Sequence, residues 1–205
     1  MPDTALNAYL RQRPADTLAV LGLVSGLLSG FYGANLELPA LQPLATLFFL
    51  DAAMLPIGFF YGVAMAIGIA LLTRKPWAAF LVVTTIYAWS AALHTAIRLQ
   101  RNTGDDAHLI AASLGAGAVG AGLTYLGCAM FAVDLRRPPW RIALTCVVGA
   151  IAGLLFYLGE RKYVDERLLF FAWQPAVAFA IGLGLPRQGS PNPSPSTGED
   201  GTPRT

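Results

Sequence analysis

Six long apolar stretches dominate this sequence, and each is close to the roughly 20 residues that an α-helix needs to cross the hydrocarbon core of a bilayer. Shorter segments, which carry most of the charged residues, join them. Because lipid offers the backbone no hydrogen-bond partner, a chain crosses a membrane either as helices or as a closed barrel. The sequence therefore predicts an all-α fold, a polytopic transmembrane helical bundle with six spanning helices. The predicted helices are 17–35, a part of 44–72, 77–97, 109–133, 142–158 and 168–185.

The composition supports a membrane protein and argues against a soluble domain. Hydrophobic residues make up 55% of the chain and charged residues 13%, and the mean hydropathy is +0.54, which lies outside the range of soluble proteins. The net charge of +2 is small and no long Lys/Arg run occurs, which argues against a nucleic-acid partner. The expected partners are the lipid bilayer and, beyond it, other membrane proteins or a second copy of this chain.

The sequence divides into three parts. Residues 1–16 form an N-terminal segment, 17–185 hold the six predicted helices, and 186–205 are rich in Pro, Ser, Gly, Asn and Thr. A tail of that composition cannot bury enough apolar surface to offset the entropy of ordering it, which predicts disorder. The first apolar run is longer than the hydrophobic part of a secretory signal and lacks a small-x-small cleavage site, which predicts a retained helix.

Basic residues are distributed unevenly between the two sides of the predicted bundle. Cytoplasmic loops carry an excess of Lys and Arg, whereas acidic residues have little influence on orientation. The count of eight against five favours both termini in the cytoplasm, and the absence of a transit-like leader fits a bacterial inner membrane. The larger group is Arg11, Arg13, Arg74, Lys75, Arg136, Arg137, Arg141 and Arg187, and the smaller is Arg98, Arg101, Arg161, Lys162 and Arg167.

Small residues at four-residue spacing run along most of the predicted helices. Such a small-xxx-small stripe lies on one face of a helix and lets two backbones approach closely, which promotes helix association in lipid. We therefore expect tight packing within one bundle, with homodimerisation through a stripe as the alternative. The predicted fourth helix has small residues on nearly all of its faces, which predicts a central position in the bundle. The clearest stripes are Gly22, Gly26 and Gly30; Gly58, Gly62 and Ala66; Gly149 and Gly153; and Ala172, Ala176, Ala180 and Gly184.

Asp51 is the first candidate functional residue because it lies among apolar neighbours. A carboxylate within the bilayer costs about 2.5–3.5 kcal/mol on insertion scales and usually marks function. A continuous helix over 44–72 would be about 43 Å long, more than the ~30 Å hydrocarbon core. The favoured solution starts the helix at Asp51 as its N-cap, with 41–50 interfacial or re-entrant. The alternative is a long helix that bends at Pro56, a candidate hinge, and leaves Asp51 inside as a proton or cation site.

Further polar residues are predicted near the outer end of the bundle. His94 lies one turn before Arg98 at the end of the third segment, and Asn35 and Glu37 end the first segment on the same side. Together with Asp51, these side chains form a candidate outward-facing mouth that contacts a substrate or an ion.

The loop residues Asp105, Asp106 and His108 lie on that side as well. Carboxylates and imidazoles can hold a divalent metal, but none of the usual metal-ligand spacings is present. An acidic residue just before a helix is more typical of an N-cap. We therefore predict no metal site and no cofactor here, and expect Asp105 or Asp106 to cap the fourth helix.

Trp89 lies in the middle of the third predicted helix, close to Tyr87. A buried aromatic side chain either packs against neighbouring helices or lines a cavity, and packing is the favoured interpretation.

No catalytic motif stands out, so function is predicted only by class. The favoured class is a non-catalytic membrane component, either a scaffold, an assembly factor or an accessory subunit, since most helices carry a packing stripe. The alternative is a small-solute or ion carrier or channel entered through the outward-facing mouth, with Pro56 as its hinge. A membrane-embedded enzyme ranks last, because no nucleophile can be paired with a base.

Overall fold

The fold is built entirely from helices in the part of the chain that the computed structural model describes, residues 5–33, 43, 46, 55–100 and 105–187. This confirms the predicted all-α helical bundle. The helices are α1 (Ala5–Gln12), α2 (Pro14–Tyr32), α3 (Leu55–Thr73), α4 (Leu81–Gln100), α5 (Asp106–Phe131), α6 (Trp140–Glu160) and α7 (Leu168–Gly182), with 3-10 turns at Pro76–Phe80 and Val133–Arg136.

Five of these helical segments are long and apolar enough to cross a bilayer, namely α2, α3, α4 with the turn before it, α5 and α6. The sixth, α7, has 15 residues and is about 22 Å long at a rise of 1.5 Å per residue. The sequence predicted short fifth and sixth helices. That prediction holds for α7 and is wrong for α6, which has 21 residues because its helix extends past the apolar run at both ends.

Helices α2 to α7 form a closed ring. Each packs mainly against its two neighbours, and the last helix returns to the first, so that α7 lies against α2. The two run antiparallel, since a Cβ on Gly22 would meet Pro175 whereas one on Gly30 would meet Arg167. The glycine stripe of α2 therefore closes the ring by lying directly against the backbone of α7.

The prediction of a central fourth helix is wrong. The corresponding helix, α5, packs mainly against α4 and α6 and only slightly against α3 and α7. Its small residues contact the helices on both sides. Gly117 lies against Gly149 and Gly153 of α6, while Gly127 lies against Thr84 of α4. Small residues all round a helix therefore mark two close neighbours here. Within an 18-residue apolar stretch of each spanning helix, the share of buried residues is largest in α3, at 67%, and smallest in α6, at 22%.

Helix α2 has small residues on its inner face and large apolar residues on its outer face from Gly22 onward. The glycines and serines at positions 22, 25, 26 and 29 are buried, whereas most bulky side chains of this stretch are exposed. An extended exposed apolar surface is unfavourable in water but natural against lipid tails. The arrangement therefore supports a membrane protein independently of hydropathy. The exposed side chains of α2 are Val20, Leu23, Val24, Leu27, Leu28, Phe31 and Tyr32.

One end of the ring, which we call the basic end, gathers basic side chains from several helices. Arg11 Nε donates to the Leu71 carbonyl at 3.1 Å, and Lys75 Nζ donates to Phe131 O at 2.9 Å. Cations placed at helix C-termini pair with carbonyls that lack helical partners. The sequence did not predict α1, which occupies the segment 5–12 at this end and carries Arg11. The C-terminal ends of α1, α3 and α5 are thereby drawn together.

The half of the bundle towards the basic end is filled by a packed core. Its buried side chains come from α2, α3, α5 and α7, from the first residue of α4, and from the turns before α4 and after α5. Tyr125 within it donates from its hydroxyl to the Leu135 carbonyl at 2.5 Å. The larger members of this core are Leu18, Tyr61, Met65, Ile69, Leu72, Leu81, Tyr125, Leu135, Val177, Ile181 and Leu185.

Candidate functional site

The other half of the ring is hollow. Residues of α3, α4, α5, α6 and α7 enclose a cavity with about 80 Å³ of room for the centres of water-sized molecules. No charged side chain lines it among the described residues, and it is not completely closed. The lining combines aromatic rings with a floor of small residues. The rings are Tyr61, Trp89, Phe156, Phe170 and Trp173, and the small residues are Gly58, Ala92, Ala96, Ala116, Gly117, Gly120 and Gly153.

The aromatic rings contact one another across helix boundaries. Tyr61 of α3 meets Trp173 of α7 edge to face, with ring centroids 5.6 Å apart and planes at 65°. Trp89 of α4 lies 5.9 Å from Phe170 of α7. Offset and edge-to-face pairs at these separations are favourable. The rings therefore hold the cavity walls in place.

Most polar groups of the cavity already have partners. Trp173 Nε1 donates to the Gly149 carbonyl of α6 at 3.2 Å. The hydroxyls of Thr85, Ser113 and Thr124 each donate to the carbonyl four residues earlier in their own helix, at 2.7–2.8 Å. These hydroxyls keep lone pairs that can accept a hydrogen bond, but their protons are used.

Two hydrogen-bond donors in the lining have no partner. The Tyr61 hydroxyl and the Trp89 indole N–H are buried, and neither is paired with any described group. Tyr61 is only 2% exposed. Buried polar side-chain atoms are nearly always hydrogen-bonded, and an exception in a native fold calls for a physical explanation such as a bound molecule or water.

Beside the cavity, one glutamine links α7 to α2. Ser25 Oγ donates to Gln174 Oε1 at 2.6 Å, and Gln174 Nε2 donates to Ser29 Oγ at 2.9 Å. All three residues are buried. We call this group the Gln174 clamp. It satisfies both ends of the amide in an apolar setting, and it fixes the register of α2 against α7 next to Pro175, where α7 cannot form a regular backbone hydrogen bond.

The end of the ring nearest the cavity carries both acidic and basic residues, and we call it the mixed-charge end. Asp105 caps α5: its carboxylate accepts the His108 backbone N–H at 2.8 Å. This hydrogen bond, followed by one from the His108 ring, lowers the pKa of Asp105. The predicted capping by Asp105 is confirmed. Asp106, the other candidate cap, instead pairs with Arg161 after α6.

A second ion pair lies in the turn between α6 and α7. Lys162 pairs with Glu166, and the hydrogen bond between them raises the pKa of Lys162. Both side chains are largely exposed, and exposed pairs contribute little stability. Within the described ranges, no group of three or more His, Cys, Asp or Glu residues is placed to hold a metal ion.

Of the predicted mouth residues, only His94 and Arg98 are described. His94 is half-buried and Arg98 exposed, both towards the end of α4. Their neighbours Leu93 and Ala96 line the cavity, whereas His94 and Arg98 are not in its described lining. Asn35, Glu37 and Asp51 lie outside the described residues. The predicted mouth therefore stays a prediction.

Pro56 is buried and is the second described residue of α3. Both the hinge at Pro56 and the alternatives for Asp51 depend on residues 44–54, of which only Thr46 is described, so they stay predictions.

Sequence reasoning missed the two most informative residues of the site. Nothing local distinguishes Tyr61 from other aromatic residues in an apolar helix. Gln174 did offer a signal, because an amide side chain in an apolar helix needs a partner, and Ser25 and Ser29 are spaced to meet it from one helix face. Trp89 was expected to pack rather than line a cavity. The structure shows that it does both.

The fold and site together define a class: a six-helix membrane-type bundle, packed at its basic end and hollow towards its mixed-charge end. Comparison with known proteins adds no closer assignment. No protein-family model matches the chain, and no significant similarity is found to a curated protein or to a solved structure. The function must therefore be inferred from the geometry.

Proposed function

We propose that the protein is a multi-pass protein of a bacterial inner membrane with both termini in the cytoplasm. The support is electrostatic, since the larger group of basic residues belongs to the segments at the basic end, and Lys and Arg are enriched on the cytoplasmic side of membrane proteins. The first and last described segments of the chain also lie at this end, because Arg11 and Arg141 bond there to the Leu71 and Gly184 carbonyls.

Cysteine labelling in intact cells tests this orientation. The two native cysteines, Cys128 and Cys146, are first replaced by alanine. Single cysteines then replace Pro186 near the basic end and Tyr163 at the mixed-charge end, both of which are exposed. A membrane-impermeant maleimide should label position 163 from outside and position 186 only after permeabilisation. The reverse pattern, or labelling of both in intact cells, would refute the orientation.

The role that the geometry supports best is that of a non-catalytic scaffold, assembly or accessory component. The observation that carries this is the unequal covering of the helices. The small residues of α2, α3, α5 and α6 are occupied within the chain, so the ring is closed without a partner. The opposite face of α6 is left largely uncovered and presents Leu144, Val147 and Ile151. These lie at spacings of three and four, so they share one face of the helix. A partner or a second copy would meet the ring at this face.

Site-specific photocrosslinking in native membranes tests the accessory role. A photoreactive residue at Val147 of α6, which is 54% exposed, is compared with one at Val24 of α2, which is 50% exposed. An accessory component should give a discrete protein adduct from position 147 and mainly lipid adducts from position 24. Lipid adducts alone at both positions would refute the role.

A carrier is the second candidate, and the hollow half of the ring favours it. The cavity lies towards the mixed-charge end, while packed side chains close the other half, as in one state of an alternating-access cycle. In the Cys-less protein, a cysteine at Ala92 in the lining distinguishes the two functions. A carrier exposes it in turn to impermeant reagents on both sides of a vesicle, whereas a scaffold exposes it on one side at most.

A further inference from the structure

The basic end of the ring contains a cleft that neither proposed role uses. It has about 640 Å³ of room for the centres of water-sized molecules, against about 80 Å³ in the apolar cavity. Its residues come from the segment between α5 and α6, from the start of α6 and from the chain after α7. The described lining is Val133, Asp134, Arg136, Arg137, Arg141, Gly184, Leu185 and Pro186.

Positive charge dominates this end of the molecule. A second cleft, of about 170 Å³, shares Asp134 with the first and adds two further cations. No described ion pair joins Asp134 to the three arginines of the larger cleft. An excess of one charge in a cleft attracts a ligand of the opposite charge. The described linings of the two clefts hold one carboxylate, Asp134, and the cations Arg11, Lys75, Arg136, Arg137 and Arg141.

Backbone carbonyls, rather than carboxylates, hold two of these arginines. Arg141 donates from Nη1 at 2.7–3.2 Å, and Arg136 donates from Nε and Nη2 at 3.0 and 3.3 Å. A carbonyl orients a guanidinium without neutralising it, and each guanidinium has five N–H groups. Arg141 therefore keeps Nε and Nη2, and Arg136 keeps Nη1, for a further acceptor. The accepting carbonyls are those of Asp134, Arg137 and Gly184 for Arg141, and of Ala129 and Met130 for Arg136.

The third arginine, Arg137, is exposed. Its side chain has no hydrogen bond or ion pair within the described part of the chain. All five of its N–H groups are therefore available to an anion.

The surroundings of the cleft match the surface of a bilayer. Helices α5 and α6 are both long and apolar enough to cross a membrane, so the segment between them would lie at the level of the lipid head groups. Trp140 at the start of α6 is 59% exposed, and tryptophan is enriched at that level. Leu126 and Met130 are exposed one turn apart on α5, and the Met130 carbonyl bonds to Arg136. An apolar surface therefore leads directly to the cleft.

We propose that this cleft binds the phosphate group of an anionic membrane phospholipid, with Arg136, Arg137 and Arg141 as its partners and an acyl chain along Leu126 and Met130. Arginine pairs with phosphate through two parallel hydrogen bonds, and basic pockets between membrane helices bind anionic head groups. The site requires insertion into a membrane. It requires neither the orientation nor the accessory role proposed above, because both leaflets present phosphates.

Native mass spectrometry of the full-length, detergent-purified protein tests the site, because it resolves each bound lipid. The probe is dioleoylphosphatidylglycerol, which is anionic. The control is dioleoylphosphatidylcholine, which has the same acyl chains and a phosphate but no net charge. The first phosphatidylglycerol should bind at least about fivefold more tightly than the first phosphatidylcholine, and the difference should shrink as ionic strength rises. Equal affinity for the two lipids would overturn the proposal.

Inorganic phosphate alone, at the same concentration, distinguishes a soluble ligand from a lipid. We expect no retained adduct, because inorganic phosphate lacks the acyl chains that lie along α5. A phosphate adduct as tight as that of phosphatidylglycerol would assign the cleft to a soluble anion and refute the lipid.

Matched variants place the lipid at the cleft. Arg137→Gln removes a charge and no described hydrogen bond, so the fold should be kept, while phosphatidylglycerol should bind about three- to tenfold more weakly. Arg74→Gln removes the same charge at the same end of the ring, from an exposed side chain outside the described lining of both clefts. It should leave the affinity unchanged. Equal effects of the two variants, or no effect of Arg137→Gln, would show that the lipid does not occupy the cleft.

A variant of opposite sign separates binding from damage to the fold. Asp134 is exposed and is the one carboxylate in the described lining. Asp134→Asn removes its repulsion of the lipid phosphate, so phosphatidylglycerol should bind about two- to fivefold more tightly. Unchanged or weaker binding by this variant would contradict a phosphate in the cleft.

Discussion

Replacing Gly26 by alanine tests the closure of the ring, on which the fold depends. A Cβ at Gly26 would lie 2.5 Å from the Phe170 carbonyl oxygen of α7 and 3.1 Å from its carbon, whereas ordinary contact begins at 3.4 Å. The obstacle is backbone, which cannot rotate away, so α2 and α7 must separate by about 0.9 Å. Overpacking of this kind costs about 1–3 kcal/mol. Against this, alanine has a helix propensity about 1 kcal/mol better than glycine. The net expectation for Gly26→Ala is a loss of about 0–2 kcal/mol relative to wild type, and of about 1–3 kcal/mol relative to an alanine variant that gains the propensity without the clash.

The matched control is Gly115→Ala in α5. The nearest atom to a Cβ there is the tip of the Leu99 side chain at 3.0 Å, which can rotate. Only the gain in helix propensity should remain, so the free energy of unfolding of this variant should be unchanged or raised by up to about 1 kcal/mol. SDS titration of the purified proteins, followed by circular dichroism, measures both changes. If Gly26→Ala proves as stable as Gly115→Ala, the close approach of α2 to α7 is refuted.

Three further predictions concern single interactions. Gln174→Met removes two interhelical hydrogen bonds, each about 0.6 kcal/mol in membrane proteins, so the same titration should show a loss of about 1 kcal/mol, while Gln100→Met at an exposed site should show none. Asp105→Ala should speed amide exchange at His108, and Asp105→Ser should not, because serine also caps. Since the pKa of Asp105 is lowered from 3.8, the cap is intact above that pH in wild type, and the protection should fall only as pH drops through the lowered value. Leu27→Lys, on the outward face of α2, should reduce membrane insertion by about 2.5–3.5 kcal/mol; unchanged insertion would place that face away from lipid.

The sequence predicted the helices well because each is specified by its own residues. Hydropathy and length locate α2 and α5 within three residues at their described ends, and the cap at Asp105 is a local pattern that the structure reproduces. The segment α1 was missed because eight residues ending in Gln12 carry no long apolar run. Its position comes instead from the hydrogen bond of Arg11 to the end of α3.

The arrangement of the helices was less predictable because a small-residue stripe does not identify the helix it packs against. Gly26 predicts a close neighbour, but only the structure shows that this neighbour is Phe170, more than 140 positions away in the chain. The same ambiguity explains the error over α5. Small residues all round a helix are equally expected for a central helix and for a ring member whose two neighbours both approach closely.

The candidate site follows from ring closure rather than from any motif. Six helices in a ring leave a space along the axis that side chains must fill. Towards the basic end, large residues such as Met65 and Ile69 fill it, whereas towards the mixed-charge end the axis is lined by Gly117 and Gly120 beside aromatic rings. In α5, glycine therefore serves packing at one face and leaves room at another. The half towards the mixed-charge end is also where two buried donors, the Tyr61 hydroxyl and the Trp89 indole N–H, have no partner among the described residues, so its polar groups are less completely satisfied than a packed helix interface requires.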